Sequence, residues 1–378
     1  MADYKRLGDY IREVNVRNRD LKVTALVGLT IDKAFIPSVA NVIGTDLSNY
    51  KIIRKEQFAC SLMQVSRDGK MPIAMFEEDE AIMSPSYPMF EVIDKSVLMP
   101  QYLMMWFSRS EFDREASYYA VGGVRGSLTW EDFSNMRLPI PSIDRQREIV
   151  AEYETLTRRI RLNEQMIQKL ETAAQALYHK MFVDGIDKDY LPEGWRMGTL
   201  GEFCKEMKSG GTPSRTNAEY WDNKDYPWLK TGEVHNNVII GVEEYISEAG
   251  LHNSSAKIIP KGSIVMAMYG ATAAQIAYLD CDTTTNQACC NMICHDEGDA
   301  AYLFFHLLAN QESIKKLANG GAQENLSQEL IAHLPIIIFN DVECKSQFVK
   351  ILDGLTIKYR ENKRIRELQS LLLARMGQ

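Results

Sequence analysis

The chain has 378 residues, of which 45% are hydrophobic and 25% charged, a balance that predicts a soluble protein with two domain-sized cores. No apolar run approaches the length of a membrane span, and the first residues lack the apolar segment of a signal peptide, which argues against membrane insertion and secretion. The seven cysteines are therefore expected to be reduced thiols of a cytoplasmic protein.

The net charge of −8 is a mild argument against a nucleic-acid partner, but the charge is unevenly distributed. Residues 1–142 carry 17 basic and 19 acidic side chains, residues 186–339 carry 11 and 20, and residues 340–378 carry 8 and 5. Because local patches decide where a phosphate backbone can lie, the total charge does not exclude DNA binding.

The first region, residues 1–142, is predicted to contain short strands joined by irregular segments. The apolar stretches LKVTALV (21–27), FACSLMQV (58–65) and MFEVID (89–94) are bounded by Gly, Pro, Asn and Asp, as strands often are. From Pro100 the apolar spacing becomes helical. This region is therefore expected to be a mixed α/β domain.

A long helix is predicted from Asp144 to Phe182, within a central segment 143–185. Apolar or small residues recur there at alternating intervals of four and three, which is typical of a coiled-coil seam: Ile149, Tyr153, Leu156, Ile160, Ile167, Leu170, Ala174, Leu177 and Met181. The polar Asn163 interrupts this seam, and such a residue fixes the register against a partner helix. At roughly 1.5 Å per residue the helix is about 58 Å long, so it is predicted to be a spacer.

The second region, residues 186–339, follows a linker rich in Gly, Pro and Asp, DGIDKDYLPEGW. Its predicted strands are SIVMAMYG (263–270), AQIAYL (274–279) and ACCNMIC (288–294), and a helix is expected from Ala300. A second long helix is predicted from Val342 to Met376, within residues 340–378; its expected seam residues are Leu355, Asn362, Ile365 and Leu372.

The two halves are an internal repeat. Five anchors recur in the same order at offsets of 193 to 200: Leu7 to Tyr10 with Leu200 to Phe203, Tyr102-Leu103 with Tyr302-Leu303, Gly122-Gly123 with Gly320-Gly321, Leu138-Pro139-Ile140 with Leu334-Pro335-Ile336, and Asn163 with Asn362. The predicted fold class is α/β (α+β), with two repeated mixed domains separated by two long helices. Those helices are expected to pack antiparallel about a pseudo-two-fold axis.

Catalytic motifs are poorly supported. The sequence SPSY at Ser84 to Tyr87 differs from the Asn/Asp-Pro-Pro-Tyr motif of adenine methyltransferases, because it lacks the amide or carboxylate and the second proline. Glu77 to Ala81 (EEDEA) is interpreted as a solvated turn, since the chain has no phosphate-binding P-loop. The chain also lacks a G-x-S-x-G motif, so neither a nucleotide-hydrolysing nor a hydrolytic enzyme is predicted.

Five residues in one stretch invite a zinc interpretation: Cys281, Cys289, Cys290, Cys294 and His295. Their spacing matches none of the usual zinc-ligand pairs. Successive residues of a strand point to opposite faces, so Cys289 and Cys290 are expected to diverge. Structural thiols are therefore the preferred interpretation, and no metal site is predicted.

Candidate DNA-binding residues have more support. The loop KSGGTPSR combines glycines, hydroxyls and a cation at each end, a composition suited to phosphate or base-edge contact, although a flexible surface loop is the alternative. The candidates in this half are Lys208, Ser209, Gly210, Gly211, Thr212, Ser214, Arg215, Lys230 and Thr231. In the first half they are Lys51, Arg54, Lys55, Arg67 and Lys70.

These motifs resemble the specificity subunits (HsdS) of type I restriction-modification systems. In the second half the resemblance rests on LPEGWRMGTLGEF, KSGGTPSR, YWDNKDYPWLKTGEV, TTNQACC and GGAQENLSQELIAHLPI. In the first half it rests on LGDYIREVNVRN, GLTIDKAFIPSVANVIGTDLSNYKII and LPIPSIDRQREIV. One departure from the common family pattern is Arg125, with Gly126 and Ser127, where the second half has Gln323-Glu324-Asn325; Arg125 is a further candidate DNA contact.

The resemblance implies a non-catalytic, cytoplasmic subunit. Residues 1–142 and 186–339 would be target-recognition domains that each read one half of a bipartite double-stranded DNA target, chiefly from the major groove. The helical segments 143–185 and 340–378 would set the spacer between half-sites and dock two methyltransferase subunits, and restriction/translocase subunits would join that core. S-adenosylmethionine, ATP and Mg would belong to those partners, which flip out the target adenine. Two alternatives are a structural adaptor that binds only protein and a stand-alone DNA-modifying enzyme.

Overall fold

A computed structural model describes residues 4–38, 44–63, 65–121, 126–187, 190–318 and 325–377. The chain divides into two compact units. Unit 1 consists of Met1–Arg159 and Ile365–Gln378, and unit 2 consists of Ile160–Arg364. Each unit therefore contains part of both long helices.

The helices of the chain, in order, are α1 (Val65–Asp68), α2 (Pro100–Phe107), α3 (Ser110–Val121), α4 (Trp130–Asn135), α5 (Ile143–Phe182), α6 (Leu200–Phe203), α7 (Glu248–His252), α8 (Glu297–Ala318), α9 (Gln328–Ala332) and α10 (Val342–Arg375). Helices α5 and α10 are the two long helices that the sequence predicts, and their existence is confirmed. Helix α2 begins at Pro100 because proline lacks the N–H that is unpaired in a first helical turn.

Unit 1 contains strands β1 (Tyr4–Arg6), β2 (Ile11–Glu13), β3 (Val27–Leu29), β4 (Phe35–Pro37), β5 (Lys51–Arg54), β6 (Phe58–Cys60), β7 (Ile73–Met75), β8 (Glu80–Met83), β9 (Met89–Val92) and β10 (Arg137–Pro139). They pair as β1 with β10, β3 with β4 and β5 with β8, and as a sheet of order β2-β9-β6-β7. All these pairings are antiparallel. Helices α2, α3 and α4 cover the sheet through an aromatic core, in which Phe58 and Phe90 stack at 5.0 Å and both meet Phe107 edge-on.

Two strand predictions in unit 1 are partly wrong. The segment LKVTALV forms a strand only from Val27. Before it, Leu21 has a positive φ of 53°, and the side chain of Asn18 accepts a hydrogen bond from the N–H of Val23, so the chain makes a local turn. In FACSLMQV the strand ends at Cys60, and helix α1 begins at Val65. Apolar content alone does not reveal these turns.

Unit 2 contains strands β11 (Arg196–Thr199), β12 (Glu206–Ser209), β13 (Tyr226–Leu229), β14 (Asn237–Ile239), β15 (Glu244–Ile246), β16 (Ile264–Ala267), β17 (Ile276–Leu279), β18 (Thr284–Thr285), β19 (Cys289–Ile293) and β20 (Pro335–Ile338). Its main sheet has the order β12-β19-β16-β17-β14. A smaller sheet has the order β15-β13-β18, and β11 pairs with β20. The two sheets are mixed, since β14 runs parallel to β17 and β18 parallel to β13.

The repeat is visible in matching contacts inside each unit. The buried Tyr102 donates its hydroxyl to the carbonyl of Pro139 at 3.1 Å, and the buried Tyr302 donates to Ile337 at 3.0 Å. Strand β1 is antiparallel to β10, just as β11 is antiparallel to β20, with Tyr4 opposite Pro139 and Met197 opposite Ile337. Pro139 therefore corresponds to Ile337, and the sequence anchor that matched Leu138-Pro139-Ile140 with Leu334-Pro335-Ile336 is shifted by two residues. The predicted α/β class with two repeated mixed domains is therefore confirmed.

The long helices pair antiparallel within unit 2. Leu170 packs on Gly354, and Asn163 donates its side-chain amide to the Asn362 side-chain oxygen at 2.8 Å. In unit 1 the Gln369 amide donates to the Thr157 hydroxyl at 2.8 Å. Of the expected seam residues, Asn163, Ile167, Leu355, Asn362 and Ile365 are buried, and Ile149, Leu156, Ile160, Leu170, Leu177 and Leu372 are half-buried.

Candidate nucleic-acid interface

The glycine-rich loop of unit 2 is packed rather than open. Gly210 and Gly211 are buried, and their N–H groups donate to the carbonyls of Cys289 and Thr285 at 3.3 and 2.8 Å. A Cβ on Gly211 would lie 2.4 Å from the backbone nitrogen of Ala256. Glycine is required here by close backbone approach, and the N–H groups of Gly210 and Gly211 are already used inside the unit. A contact of the loop with DNA stays a prediction.

Gly211→Ala is expected to destabilise unit 2 by about 1–3 kcal/mol, because the added methyl group would clash with fixed backbone. Urea unfolding of the variant measures this change. The matched control is Gly232→Ala, since a Cβ there meets no atom of the described residues within 4 Å; we expect it to change stability by less than about 0.5 kcal/mol. Equal stability of both variants would contradict the packing argument.

The end of this loop carries an ordered arginine. The guanidinium carbon of Arg215 lies 3.6 Å from the ring centroid of Trp221 and 4.8 Å from that of Trp228. Its terminal nitrogen donates to the Glu244 carboxylate at 2.6 Å. The Trp228 indole in turn donates to the carbonyl of Gly211 at 2.9 Å. Stacking and ion pairing therefore fix a half-exposed, planar set of donors, which suits recognition of a base edge or a phosphate.

Lys230 lies beside the same carboxylate. Its ammonium is 2.9 Å from Glu244 and 3.0 Å from Glu243. These two hydrogen bonds raise the pKa of Lys230, and the bond to Glu244 has the larger effect. The pKa of Glu244 is lowered, mainly by the hydrogen bond from Arg215. Two cations and two carboxylates thus form one cluster, which we call the Arg215 cluster: Arg215, Lys230, Glu243 and Glu244.

The remaining candidates of unit 2 have other surroundings. The ammonium of Lys208 lies 2.7 Å from Glu206, and the Ser209 hydroxyl donates to Gln328 at 2.5 Å. The other three are polar residues of short turns: Thr212, whose hydroxyl bonds to the side chain of Gln287; Ser214, which bonds to Thr216; and Thr231, which begins a short 3-10 helix. The structure brings Arg215 and Lys230 together and places Lys208 and Ser209 on β12.

In unit 1 the candidate cations occur in separate pairs. Lys51 is buried and donates to the Tyr87 carbonyl at 2.7 Å, and burial lowers the pKa of its ammonium. The exposed cations pair with nearby carboxylates: Arg54 with Glu80 at 3.7 Å, Arg67 with Asp68 at 2.6 Å and Lys70 with Asp32 at 3.5 Å. Lys55 is exposed, and Arg125 lies outside the described residues. Exposure therefore favours Arg54, Lys55, Arg67 and Lys70 over Lys51.

Sequence reasoning missed Trp221, Glu243 and Glu244. Trp221 is present in the same YWDNKDYPWLK segment as Trp228, and the two indoles meet edge-on at 5.0 Å. A pair of tryptophans near an arginine is a signal for cation–π stacking that could have been used. The two glutamates carry no such signal, because they reach Lys230 only through the pairing of β13 with β15.

Cys289 and Cys290 are buried neighbours on β19. Cys289 packs in one hydrophobic cluster and Cys290 in another, on opposite faces of β19, as predicted. Burial raises the pKa of both thiols to about 12. Within the described ranges, no group of three His, Cys, Asp or Glu side chains is arranged to hold a metal ion.

Comparison with known proteins identifies the family. Residues 40–172 and 192–370 each match the type I restriction modification DNA specificity domain. The chain belongs to this family. One match lies in each repeat, and the family resemblance expected from the sequence motifs is confirmed.

Individual members of the family align over long stretches. The type I restriction enzyme HindI specificity subunit of Haemophilus influenzae is 24% identical over 100% of this chain and 99% of its own length. The EcoR124I/EcoR124II specificity subunit of Escherichia coli is 24% identical over 75% of this chain and 72% of its own. A crystal structure of the type I restriction-modification S subunit from M. genitalium shares the fold, with a TM-score of 0.58, 12% identity and coverage of 100% and 96%. In the part of this chain that the structure describes, no helix combines the length and apolarity needed to cross a membrane.

Proposed function

We propose that the chain is the DNA sequence-recognition subunit of a type I restriction-modification complex. The observation that carries the proposal is the match of the DNA specificity domain to both halves of a duplicated chain. In this proposal the recognition domains are residues 1–142 and 186–339, and each reads one half of a bipartite target. Major-groove contacts would supply the specificity, since every base pair is distinguishable there.

The two long helices have a separate role in this proposal. Helices α5 and α10, in segments 143–185 and 340–378, would set the number of unread base pairs between the half-sites. Half-sites about 34 to 36 Å apart lie on one face of the DNA, so a rigid spacer becomes part of the specificity. The same segments would dock two methyltransferase subunits, with restriction/translocase subunits joining the complex.

We further propose that the chain itself is not catalytic. The thiols of Cys289 and Cys290 are held protonated by burial, and the sequence lacks the cofactor and nucleotide motifs described above. S-adenosylmethionine, ATP and Mg would therefore be bound by the partner subunits. Purified chain that transferred methyl groups to DNA without a partner would overturn this part of the proposal.

The function is tested by co-expressing the chain with its methyltransferase subunit and sequencing the methylated DNA of the cells. We expect one bipartite motif, with methylated adenines, that disappears when this chain is omitted. Methylation that persists without the chain, or a motif with a single uninterrupted half-site, would refute the proposal. A structural adaptor that binds only protein would leave the motif unchanged when both recognition domains are exchanged for those of another chain.

Lys230→Ala is expected to weaken DNA binding by the assembled methyltransferase and to lower the slope of log affinity against log salt by about one, as for a lost phosphate contact. The pKa of Lys230 is raised, so its ammonium is charged throughout the neutral pH range of the assay. Fluorescence anisotropy at several salt concentrations measures the slope. Lys230→Arg retains the charge and is the control; an unchanged slope for the alanine variant would count against a phosphate contact.

A further inference from the structure

One edge of the unit 2 sheet is fixed to helix α10 by an ion pair with two hydrogen bonds. Asp280 follows the last residue of β17, and its carboxylate accepts hydrogen bonds from Nε and Nη2 of Arg360 at 2.5 and 2.6 Å. The side chain of Asp280 is only 5% exposed. This bidentate pairing fixes the direction of the guanidinium as well as its distance from the carboxylate.

A third charge completes the contact. The ammonium of Lys261 lies 2.9 Å from the same carboxylate. Burial would raise the pKa of Asp280, but hydrogen bonds from Arg360 and Lys261 outweigh it and hold the pKa below its ordinary value. The carboxylate is therefore ionised at neutral pH, and the ion pair is present whenever the complex works.

A second contact lies one turn further along α10. The Lys363 ammonium donates to the carbonyl of Ile240, just after β14, at 3.4 Å. A Cβ on Gly241 would lie 2.6 Å from that ammonium, so the backbone and the lysine approach closely. Because the edge strand β14 is paired in parallel with β17, the two contacts hold neighbouring strands on one side of the sheet. Two points of attachment resist rotation of the sheet about either one.

These attachments lie beside the register contact of the helices. Asn362, which hydrogen-bonds to Asn163, is positioned between Arg360 and Lys363 in the sequence of α10. The edge of the recognition domain is thus fixed to the same two turns in which α5 and α10 are locked to each other. A change in these contacts would therefore change the orientation of the whole sheet on α10.

We propose that Asp280 and Arg360 are positioning residues that fix the angle of the second recognition domain on helix α10 and so restrict the complex to one spacer length. The inference rests on the function proposed above. One added base pair turns the second half-site by about 34 to 36° around the DNA axis, since a turn contains 10 to 10.5 base pairs. A domain that is free to rotate on α10 can follow that turn, whereas a fixed domain cannot.

The test compares Arg360→Ala, Arg360→Lys and wild type in cells that express the methyltransferase, by sequencing methylated DNA. For Arg360→Ala we expect both half-sites to be retained and methylation at targets with a spacer one base pair longer or shorter to rise about tenfold, which corresponds to about 1.4 kcal/mol of lost discrimination. Arg360→Lys keeps the charge but loses the paired hydrogen bonds, so an intermediate rise is expected.

The matched control is Arg364→Ala. Arg364 is an exposed arginine one turn further along the same helix, with no partner among the described residues, and its loss should leave the spacer unchanged. If wild type gives no bipartite motif, the proposed function has failed. If wild type gives one and Arg360→Ala keeps the same single spacer, the positioning role is wrong. If Arg360→Ala lowers the melting temperature without relaxing the spacer, the ion pair is purely structural and the inference is also overturned.

Discussion

Replacing Asn163 with alanine is expected to destabilise the helix pair by about 1–3 kcal/mol, because the side-chain amide of Asn362 would remain buried without its partner. Asn163 and Asn362 are 2% and 3% exposed, and their side chains are joined at 2.8 Å. A buried amide pair contributes little stability when complete, but an unpaired one is costly.

Urea unfolding of the variants measures this effect, and a double-mutant cycle isolates the pair. We expect Asn163→Leu with Asn362→Leu together to regain the stability lost by either single change, since the seam would then be wholly apolar. Lys169→Ala, at an exposed position of α5, is the control and should change stability by less than about 0.5 kcal/mol. A single Asn163→Ala variant as stable as this control would show that the amide pair has no energetic role.

The long helices were the most predictable part of the fold. Their apolar spacing of four and three extends over many turns, so local irregularities cannot obscure the period. The predicted helix from Asp144 to Phe182 differs from α5 by one residue at its start. The repeat was equally clear, because residues such as Tyr102 and Tyr302 make the same hydrogen bond in each unit and must recur together.

The short strands were less predictable, because turns there depend on single side chains. The carboxamide oxygen of Asn18 accepts a hydrogen bond from the N–H of Val23, in a stretch whose composition favours a strand. The packing of the glycine-rich loop was unpredictable for a similar reason. Its composition indicates an open binding loop, but Gly210 and Gly211 are required by the nearby backbone of residues distant in the sequence.

The surroundings of the candidate cations could not be read from the sequence. Arg215 and Glu244 are 29 residues apart, and only the folding of the β15-β13-β18 sheet brings them together. Cations that are distributed singly along the sequence become a cluster with two carboxylates in the structure. The carboxylate of Glu244 and the ring of Trp221 restrict the guanidinium of Arg215 to few orientations. A contact of Arg215 or Lys230 with DNA stays a prediction.

Deleting one heptad from each long helix is expected to change the spacer of the methylated motif and to keep both half-sites. The proposed deletion removes residues 156–162 from α5 and 363–369 from α10, which face each other because Asn163 pairs with Asn362 and Thr157 with Gln369. Seven residues turn a helix about 20° less than two full turns, so the seam stays on the same face. Each helix becomes about 10 Å shorter.

At about 3.4 Å per base pair, that shortening corresponds in length to a spacer about three base pairs shorter. Three base pairs also turn the half-site by about 105° around the DNA axis, and the deletion removes Lys363, one of the two attachments of the second domain to α10. The deletion is therefore made together with Arg360→Ala, so that the domain is free to follow that turn. Sequencing of methylated DNA gives the half-sites and the spacer in one measurement. The length-preserving control is Arg161→Ala with Arg364→Ala, which alters the surface of the same two heptads and should leave the spacer unchanged. Retention of the original spacer by the deletion variant would mean that the helices do not measure the distance between half-sites. A changed half-site would mean that the helices also shape the recognition surface. The proposal that the helices set only the spacer requires spacing and base reading to be separable.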